Sequence, residues 1–178
     1  MKNIFFETER LVFRNWIDRD ADLLADMNSD KEVMEFFPRT LTREESILWQ
    51  KEMRLKIKIN SYGFWAVEKK ESREWIGFIG LNDVTFNSDF TPCMEIGWRL
   101  SRKFWGNGYA TEGAKACLIY GKEKLGVNNV YSFTSKLNLR SENVMIKIGL
   151  KKLKEFGHPR VEKNHPLHLH VLYKTEVM

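Results

Sequence analysis

Apolar residues recur along this chain with two different periods. Where they alternate with polar residues or run together briefly, they predict strands; where they return every three or four positions, they predict helices. The alternation in Thr8-Glu9-Arg10-Leu11-Val12-Phe13-Arg14 predicts a strand within Glu7 to Trp16, with Leu11 and Phe13 on one face. Asp18 is a candidate N-cap for a helix carrying Leu23, Leu24 and Met27. Val33 to Pro38 is apolar and ends at a proline, so a short helix or turn is expected. Thr42-Arg43-Glu44-Glu45 is a capping box, and the helix it opens should run to about Asn60. Its apolar positions are Ile47, Leu48, Leu55 and Ile59, and Lys51, Arg54, Lys56 and Lys58 make its outer side basic.

The second half is richer in strands. Gly63 to Glu68 and Trp75 to Leu81 predict a hairpin joined by the charged segment Lys69 to Glu74. Asn87, Ser88, Asp89 and Pro92 mark a loop. Glu95 to Leu100 is a further strand, and Tyr109, Gly113, Ala116, Cys117 and Tyr120 form the inward stripe of a helix that fades between Gly121 and Gly126. Val130 to Thr134 predicts a strand, followed by a short helix with Val144, Met145 and Ile148 inward and Gly149 at its left-handed end. Leu150 to Phe156 and Leu167 to Lys174 complete the set, separated by a polar segment with Pro159 and Pro166. This order predicts an α/β fold with a mixed sheet, antiparallel early and with one helical crossover late.

The junction at Trp105-Gly106-Asn107-Gly108-Tyr109-Ala110 organises the chain. Two glycines let the backbone turn sharply and approach a ligand closely. The helix start beyond them offers unpaired N–H groups and the positive end of the helix dipole. Strand, glycine-rich loop and helix N-terminus together suit a phosphate. The spacing is not that of a P-loop, because no Lys follows Gly108. Nor is it a dinucleotide loop, because Thr111 stands where the third glycine belongs.

Composition narrows the class. The chain has 178 residues, 43% apolar and 30% charged, enough for one domain with a real core over residues 1–178. No run approaches a membrane span, and Met1-Lys2-Asn3-Ile4 lacks a signal region, so a cytoplasmic protein without membrane contact is expected. Cys93 and Cys117 have neither metal nor redox spacing. The net charge of +5 suits an anionic cofactor but selects no partner, and no interleaved basic–aromatic motif suggests direct nucleic-acid binding.

The glycine loop resembles the acetyl-CoA pyrophosphate loop of the GCN5-related N-acetyltransferase (GNAT) superfamily, Gln/Arg-x-x-Gly-x-Gly/Ala, with Gly108 and Ala110 matching and Trp105 replacing Gln/Arg. Thr8-Glu9-Arg10-Leu11, Glu95-Ile96-Gly97-Trp98, Tyr109-Ala110-Thr111-Glu112, Asn138-Leu139-Arg140-Ser141 and Lys147-Ile148-Gly149-Leu150 extend the resemblance to the ribosomal-protein N-terminal (RimJ/RimL-like) branch. It implies a single-domain fold with a mixed, mostly antiparallel sheet of six to seven strands, about four helices and a central strand that splays beyond Gly97. It also implies acetyl-CoA as co-substrate and no metal. Trp98, Arg99 and Leu100 match the strand whose backbone holds the pantetheine arm. Trp105, Gly106, Asn107, Gly108, Tyr109, Ala110 and Thr111 match the pyrophosphate loop, and Asn138 a pantetheine contact.

Amide formation from a thioester needs a base for the amine, a donor for the developing oxyanion and an acid for the thiolate. Glu95 matches a glutamate on the family's central strand, and burial there would raise its pKa toward that of a base. Its other readings are an outward-facing carboxylate or a buried ion pair. Ser141 is the candidate acid, against an ordinary serine in a first helical turn. Asn138 has the alternative of a plain N-cap. His168 and His170 share one face if their segment is a strand, a spacing that metals use. His158, His165 or His168 could instead line the amine entrance and rival Glu95. The acceptor is expected to be a primary amine: a protein N-terminus, or a small molecule such as a polyamine, antibiotic or amino acid. A non-catalytic acyl-CoA sensor is the other class, and a monomer or homodimer the expected assembly.

Overall fold

The computed structural model describes residues 4–175; the signal-region reading at Met1, Lys2 and Asn3 lies outside them. The strands are β1 (Ile4–Glu7), β2 (Leu11–Arg14), β3 (Phe64–Lys69), β4 (Trp75–Val84), β5 (Cys93–Leu100), β6 (Val130–Ser135), β7 (Leu150–Gly157) and β8 (Leu169–Thr175). The α-helices are α1 (Asp20–Ser29), α2 (Arg43–Asn60), α3 (Tyr109–Leu125) and α4 (Leu139–Lys147). One eight-stranded sheet holds them in the order β1-β2-β3-β4-β5-β6-β8-β7. Every neighbouring pair is antiparallel except β5 and β6, which are parallel and joined through α3. The six to seven strands expected become eight because Ile4–Glu7 adds a strand along β2. Its Phe6 stacks on Phe13 and Tyr120.

Alternate positions send side chains to opposite faces of the sheet. Trp65 and Phe13 meet Phe6 on the α3 face. Phe64 and Phe78 meet Trp49 of α2 on the other. Both faces are therefore covered, and all four residues of β2 are buried. Helix α3 sits close to the sheet at Gly113, where an added Cβ would lie 2.4 Å from Ile79.

Covering both faces forces Arg14 into the interior, where its side chain is fully buried with Asp20 and Glu68. Its Nη1 donates to Asp20 at 2.6 Å and its Nη2 to Glu68 at 2.7 Å. Asp20 also accepts the Ile17 N–H, which fixes the turn into α1. Hence α1 starts at Asp20, and Asp18 is not its cap but an exposed partner of Arg54. Leu24 and Met27 face inward as expected, whereas Leu23 is exposed.

The capping box at Thr42 and Glu45 forms, and α2 ends at Asn60. Its buried side is made of Ser46, Gln50, Met53 and Ile57. Leu48, Leu55 and Ile59 stand out in solvent at 56–71% exposure. Gln50 turns inward because its Nε2 donates to the Ile17 carbonyl, and Ser46 because it bonds Asn28. Polar partners on α1 and the chain before it, not apolar count, set the rotation of α2.

Arg14→Met would take the buried cation from Asp20 and leave Glu68 to its other partners, Arg19 among them. An uncompensated buried charge costs about 3–5 kcal/mol, so urea denaturation should show a loss of that size. A loss under about 1 kcal/mol would mean the pair is not held as described.

Candidate active site

Strand β5 pairs with β4 along its whole length, from Cys93 to Leu100. It pairs with β6 at only two positions, Met94 with Val130 and Glu95 with Tyr131. Ser132 Oγ then donates to the Ile96 carbonyl at 2.9 Å, and beyond it β6 pairs with β8 alone. The strands therefore part directly after Glu95, two residues earlier than expected. The parting opens a cleft of about 840 Å³. Of the sequence-predicted site residues, Glu95, Trp98, Arg99, Leu100, Trp105, Gly106, Gly108, Tyr109, Ala110, Thr111, Asn138 and Ser141 all line it.

Asn107 does not. Its Nδ2 folds back to the carbonyls of Phe104 and Trp105, and its own carbonyl accepts from Arg10 Nη1 at 3.0 Å. Asn107 therefore shapes the loop rather than facing the cleft. Gly106 and Gly108 have φ of 76° and 79°, the left-handed region that other residues rarely adopt. Gly108 is the N-cap of α3 and supplies no side-chain cap, so the first N–H groups of the helix lack an intrahelical partner.

The loop is anchored by residues of the Thr8-Glu9-Arg10-Leu11 and Thr111-Glu112 motifs. Glu112 accepts from Thr8 Oγ1 at 2.6 Å, from the Arg10 N–H at 3.0 Å and from Arg10 Nε at 2.6 Å. Arg10 also lies 4.7 Å from the centre of the Tyr109 ring. Thr8-Glu9-Arg10-Leu11 and Thr111-Glu112 are thus two halves of one clasp around the α3 N-terminus. On the other side Trp105 Nε1 donates to the Leu100 carbonyl, which occupies that group, and Arg140 of α4 lies 4.4 Å from the Trp105 ring.

Coenzyme A fits this frame on two grounds. A Cβ at Gly106 would meet nothing within 4 Å, so the loop backbone is open to an approaching group. The helix start carries the dipole and free N–H groups that suit a pyrophosphate. Gly106, Gly108, Tyr109, Ala110 and Thr111 would hold that end, and the parted edge of β5 the arm.

Glu95 sits at the parting. Burial pushes its carboxyl up to about 7, against the opposing effects of an Asn82 hydrogen bond and the Lys56 and Arg160 charges. Asn82 Nδ2 donates to Glu95 Oε1 at 3.1 Å, and Lys56 Nζ donates to Asn82 Oδ1 at 2.5 Å. Lys56 thereby fixes which end of the amide faces Glu95. Neither residue was foreseen; an asparagine in an apolar strand opposite Glu95 was the available signal. Glu95 faces the cleft and forms no ion pair among the described residues.

The histidines separate. His158 lines the cleft, and burial first, then His170, pulls it down to about 4, so it is neutral and weakly basic at pH 7. His165 Nδ1 accepts the Leu167 N–H and His168 Nδ1 lies 2.8 Å from the Val161 carbonyl; neither lines the cleft. His168 precedes β8, so it does not share a strand face with His170, whose ring instead lies 4.8 Å from that of His158. Among the described residues no group of three or more His, Cys, Asp or Glu could hold a metal.

At the far wall Asn138 is the N-cap of α4. Its Oδ1 accepts the Ser141 N–H at 3.1 Å and its Nδ2 donates to Thr134 Oγ1 at 3.1 Å. Both ends of the amide are engaged, which favours the capping reading of Asn138 over a direct pantetheine contact. Capping also turns Ser141 toward the cleft, where its hydroxyl has no hydrogen bond among the described residues.

A sheet parted over a glycine-flanked helix start, with a near-neutral carboxyl at the vertex, is the architecture of a coenzyme-A-dependent acyltransferase. The family model described as "Acetyltransferase (GNAT) domain" matches residues 10–151. The chain therefore belongs to the GNAT acetyltransferases and is an N-acetyltransferase. It is 31% identical over 144 residues to the uncharacterized protein YkkB of Bacillus subtilis, covering 80% of this chain and 83% of that one. It is 33% identical over 148 residues to the FsC-acetyl coenzyme A-N(2)-transacetylase of Aspergillus fumigatus, covering 78% of this chain and 60% of that one. The fold matches RimL, a ribosomal L7/L12 alpha-N-protein acetyltransferase solved in complex with coenzyme A, with a TM-score of 0.79 at 13% identity, covering 98% of each chain.

Two outcomes follow from the site. Gly106→Ala forces a Cβ into left-handed backbone at the loop and should weaken acetyl-CoA binding at least roughly tenfold in calorimetry, with only a small change in Tm. Unchanged affinity would remove the loop from cofactor binding. Glu95 is raised from its ordinary 4.5 to about 7, so the unfolded state ionises first. Stability conferred by the protonated form is lost as pH rises from about 4.5 to 7. Glu95→Gln should then raise Tm by roughly 2–6 °C above pH 7, with the gain vanishing toward pH 4. A gain independent of pH would contradict the shifted carboxyl.

Proposed function

We propose that this N-acetyltransferase transfers an acetyl group from acetyl-CoA to a primary amine by direct attack, with Glu95 as the proton acceptor. One observation carries the reading: the only carboxylate on β5 stands where the sheet parts, with its pKa brought to about 7 by burial. A base is most effective near the working pH, because it is then both ionised and still basic. His158, pulled down to about 4, is the poorer acceptor. Acetyl-CoA supplies the activated acetyl thioester. Asn82 orients Glu95, and Lys56 orients Asn82. The Ser141 hydroxyl, free of protein partners among the described residues, is the proposed proton donor on the thiol side. A sensor that only binds acyl-CoA would need the loop but neither Glu95 at this pKa nor Ser141 facing the cleft.

The acceptor amine is proposed as a class. Motifs shared with the ribosomal-protein branch favour a protein N-terminus. The 33% identical relative is named for transfer to an N(2) position, which favours no one acceptor here. The aromatic walls from Phe36, Phe37, Trp49 and Phe64 on one side and Phe86 and Phe133 on the other suit an acceptor with an apolar body.

Glu95→Gln keeps shape and hydrogen bonding but removes basicity. Across a panel of amines and N-terminal peptides, followed by thiol release, it should lower kcat/KM by roughly 10²–10⁴. Wild-type kcat/KM should rise with pH and level off above about 7 if Glu95 sets the midpoint. The variant should lose that midpoint and recover partly at high pH, where free amine is abundant. Normal rates in the variant would remove Glu95 from the mechanism.

A further inference from the structure

We infer that the acceptor amine carries an anionic group, a carboxylate several bonds from its nitrogen, and that the Arg99 side chain receives it. This rests on the amine-transfer reading and narrows it.

Arg14 is fully buried and Arg99 half-buried, and their charges are met in contrasting ways. Arg14 is neutralised by two carboxylates. Arg99 meets none among the described residues. Its guanidinium lies 4.2 Å from the centre of the Phe37 ring and 5.3 Å from that of Phe78. Its Nη1 donates to Asn28 Oδ1 at 2.6 Å, and its buried Nε has no hydrogen-bond partner among the described residues. Asn28 is itself held by Ser46 Oγ, which bonds the Thr42 carbonyl. This neutral chain aims the guanidinium without cancelling its charge. Burial with no compensating anion pulls Arg99 down to about 10, so it is still a cation at neutral pH. A buried cation without a counter-ion costs stability, and Arg presents a fork of donors matched to a carboxylate.

Arg99 lines the same cleft as Glu95. Along β5, Glu95, Gly97 and Arg99 share one face. Gly97 between them has no side chain, and the Phe64 ring lies over it, 3.0 Å from where a Cβ would stand, so an acceptor reaching from one group to the other passes across that aromatic surface. Four residues of strand separate their Cα atoms by roughly 13 Å. An acceptor lying along this face would meet the base at one end and the cation at the other. In an α-amino acid the amine and carboxylate share one carbon, which is too short a span. An ω-amino acid, or a peptide N-terminus followed by an acidic side chain, has the needed reach.

The test uses matched acceptors with acetyl-CoA: 5-aminopentanoate against 5-aminopentanamide, the peptide amide Ala-Glu-Ala against Ala-Gln-Ala, and alanine against alaninamide. Wild type should prefer the acid in at least one of the two spaced pairs by roughly tenfold or more in kcat/KM, mainly through KM, and not in the alanine pair. The pair with the larger preference tells a small acceptor from a protein N-terminus. In Arg99→Gln that preference should fall to about twofold or less, and in Arg99→Lys, which keeps charge but not the fork, it should be intermediate. No preference in wild type, or the same preference in Arg99→Gln, overturns the proposal. So does an unchanged preference accompanied by weaker acetyl-CoA binding, which assigns Arg99 to the cofactor. If wild type acetylates no amine, the transfer reading fails separately. Calorimetric titration of the CoA-saturated protein with 5-aminopentanoate and its amide then decides: acid-selective binding lost in Arg99→Gln supports the anion site, and its absence overturns it.

Discussion

Two rungs of parallel pairing hold the two halves of the sheet together, and the site depends on their number. Five strands lie on one side and three on the other, and among the described residues their ladder pairs are Met94–Val130 and Glu95–Tyr131. A third rung would close the cleft over Ile96 and Gly97. Ser132 prevents a raw end by bonding the Ile96 carbonyl, so the vertex is satisfied while the strands beyond it separate. The edge of β5 past this vertex is where backbone groups can meet a ligand instead of a neighbouring strand. The helix that makes the parallel crossover brings its N-terminus, with Gly106 and Gly108 before it, to the open end.

The same architecture explains the molecule's uneven treatment of buried charge. Where charge serves the fold it is neutralised, as with Arg14, Asp20 and Glu68. Where it faces the cleft it is left partly uncompensated. Glu95 receives one amide hydrogen bond and Arg99 one amide oxygen, neither of them an opposite charge in contact. Both choices lower stability, and both leave a group with an unspent capacity to bind or move a proton. Strongly shifted groups gather at functional sites for this reason. Asn82 and Asn28 play parallel parts, each a neutral amide locked from behind, by Lys56 and by Ser46.

Much of this was legible along the chain, because it rests on local chemistry. The capping box at Thr42 and Glu45 needs only residues within one turn, and α2 starts where that motif stands. The hairpin across Lys69 to Glu74, the left-handed Gly149 and the glycine loop before α3 are equally local. Errors fell where a distant partner overrode the local signal. Asp18 is a sound N-cap by type, but Arg14 recruits Asp20 and moves the helix start. Leu48, Leu55 and Ile59 look like an inward stripe, yet Asn28 and the Ile17 carbonyl draw Ser46 and Gln50 inside and turn the leucines out. His168 and His170 look like a paired spacing, but the chain reaches its strand only at Leu169.

The sequence by itself determined the order of elements, the glycine loop and the candidate base, because periodicity, caps and motif spacing are properties of neighbouring residues. Only the tertiary structure decided what those residues do together. It joined Thr8 and Arg10 to Glu112 across about a hundred positions and set Asn82 and Lys56 behind Glu95. It also enclosed Arg99 between two phenylalanines without an anion. Electrostatic environment is a sum over everything nearby, and in a folded chain most of what is nearby is distant in sequence.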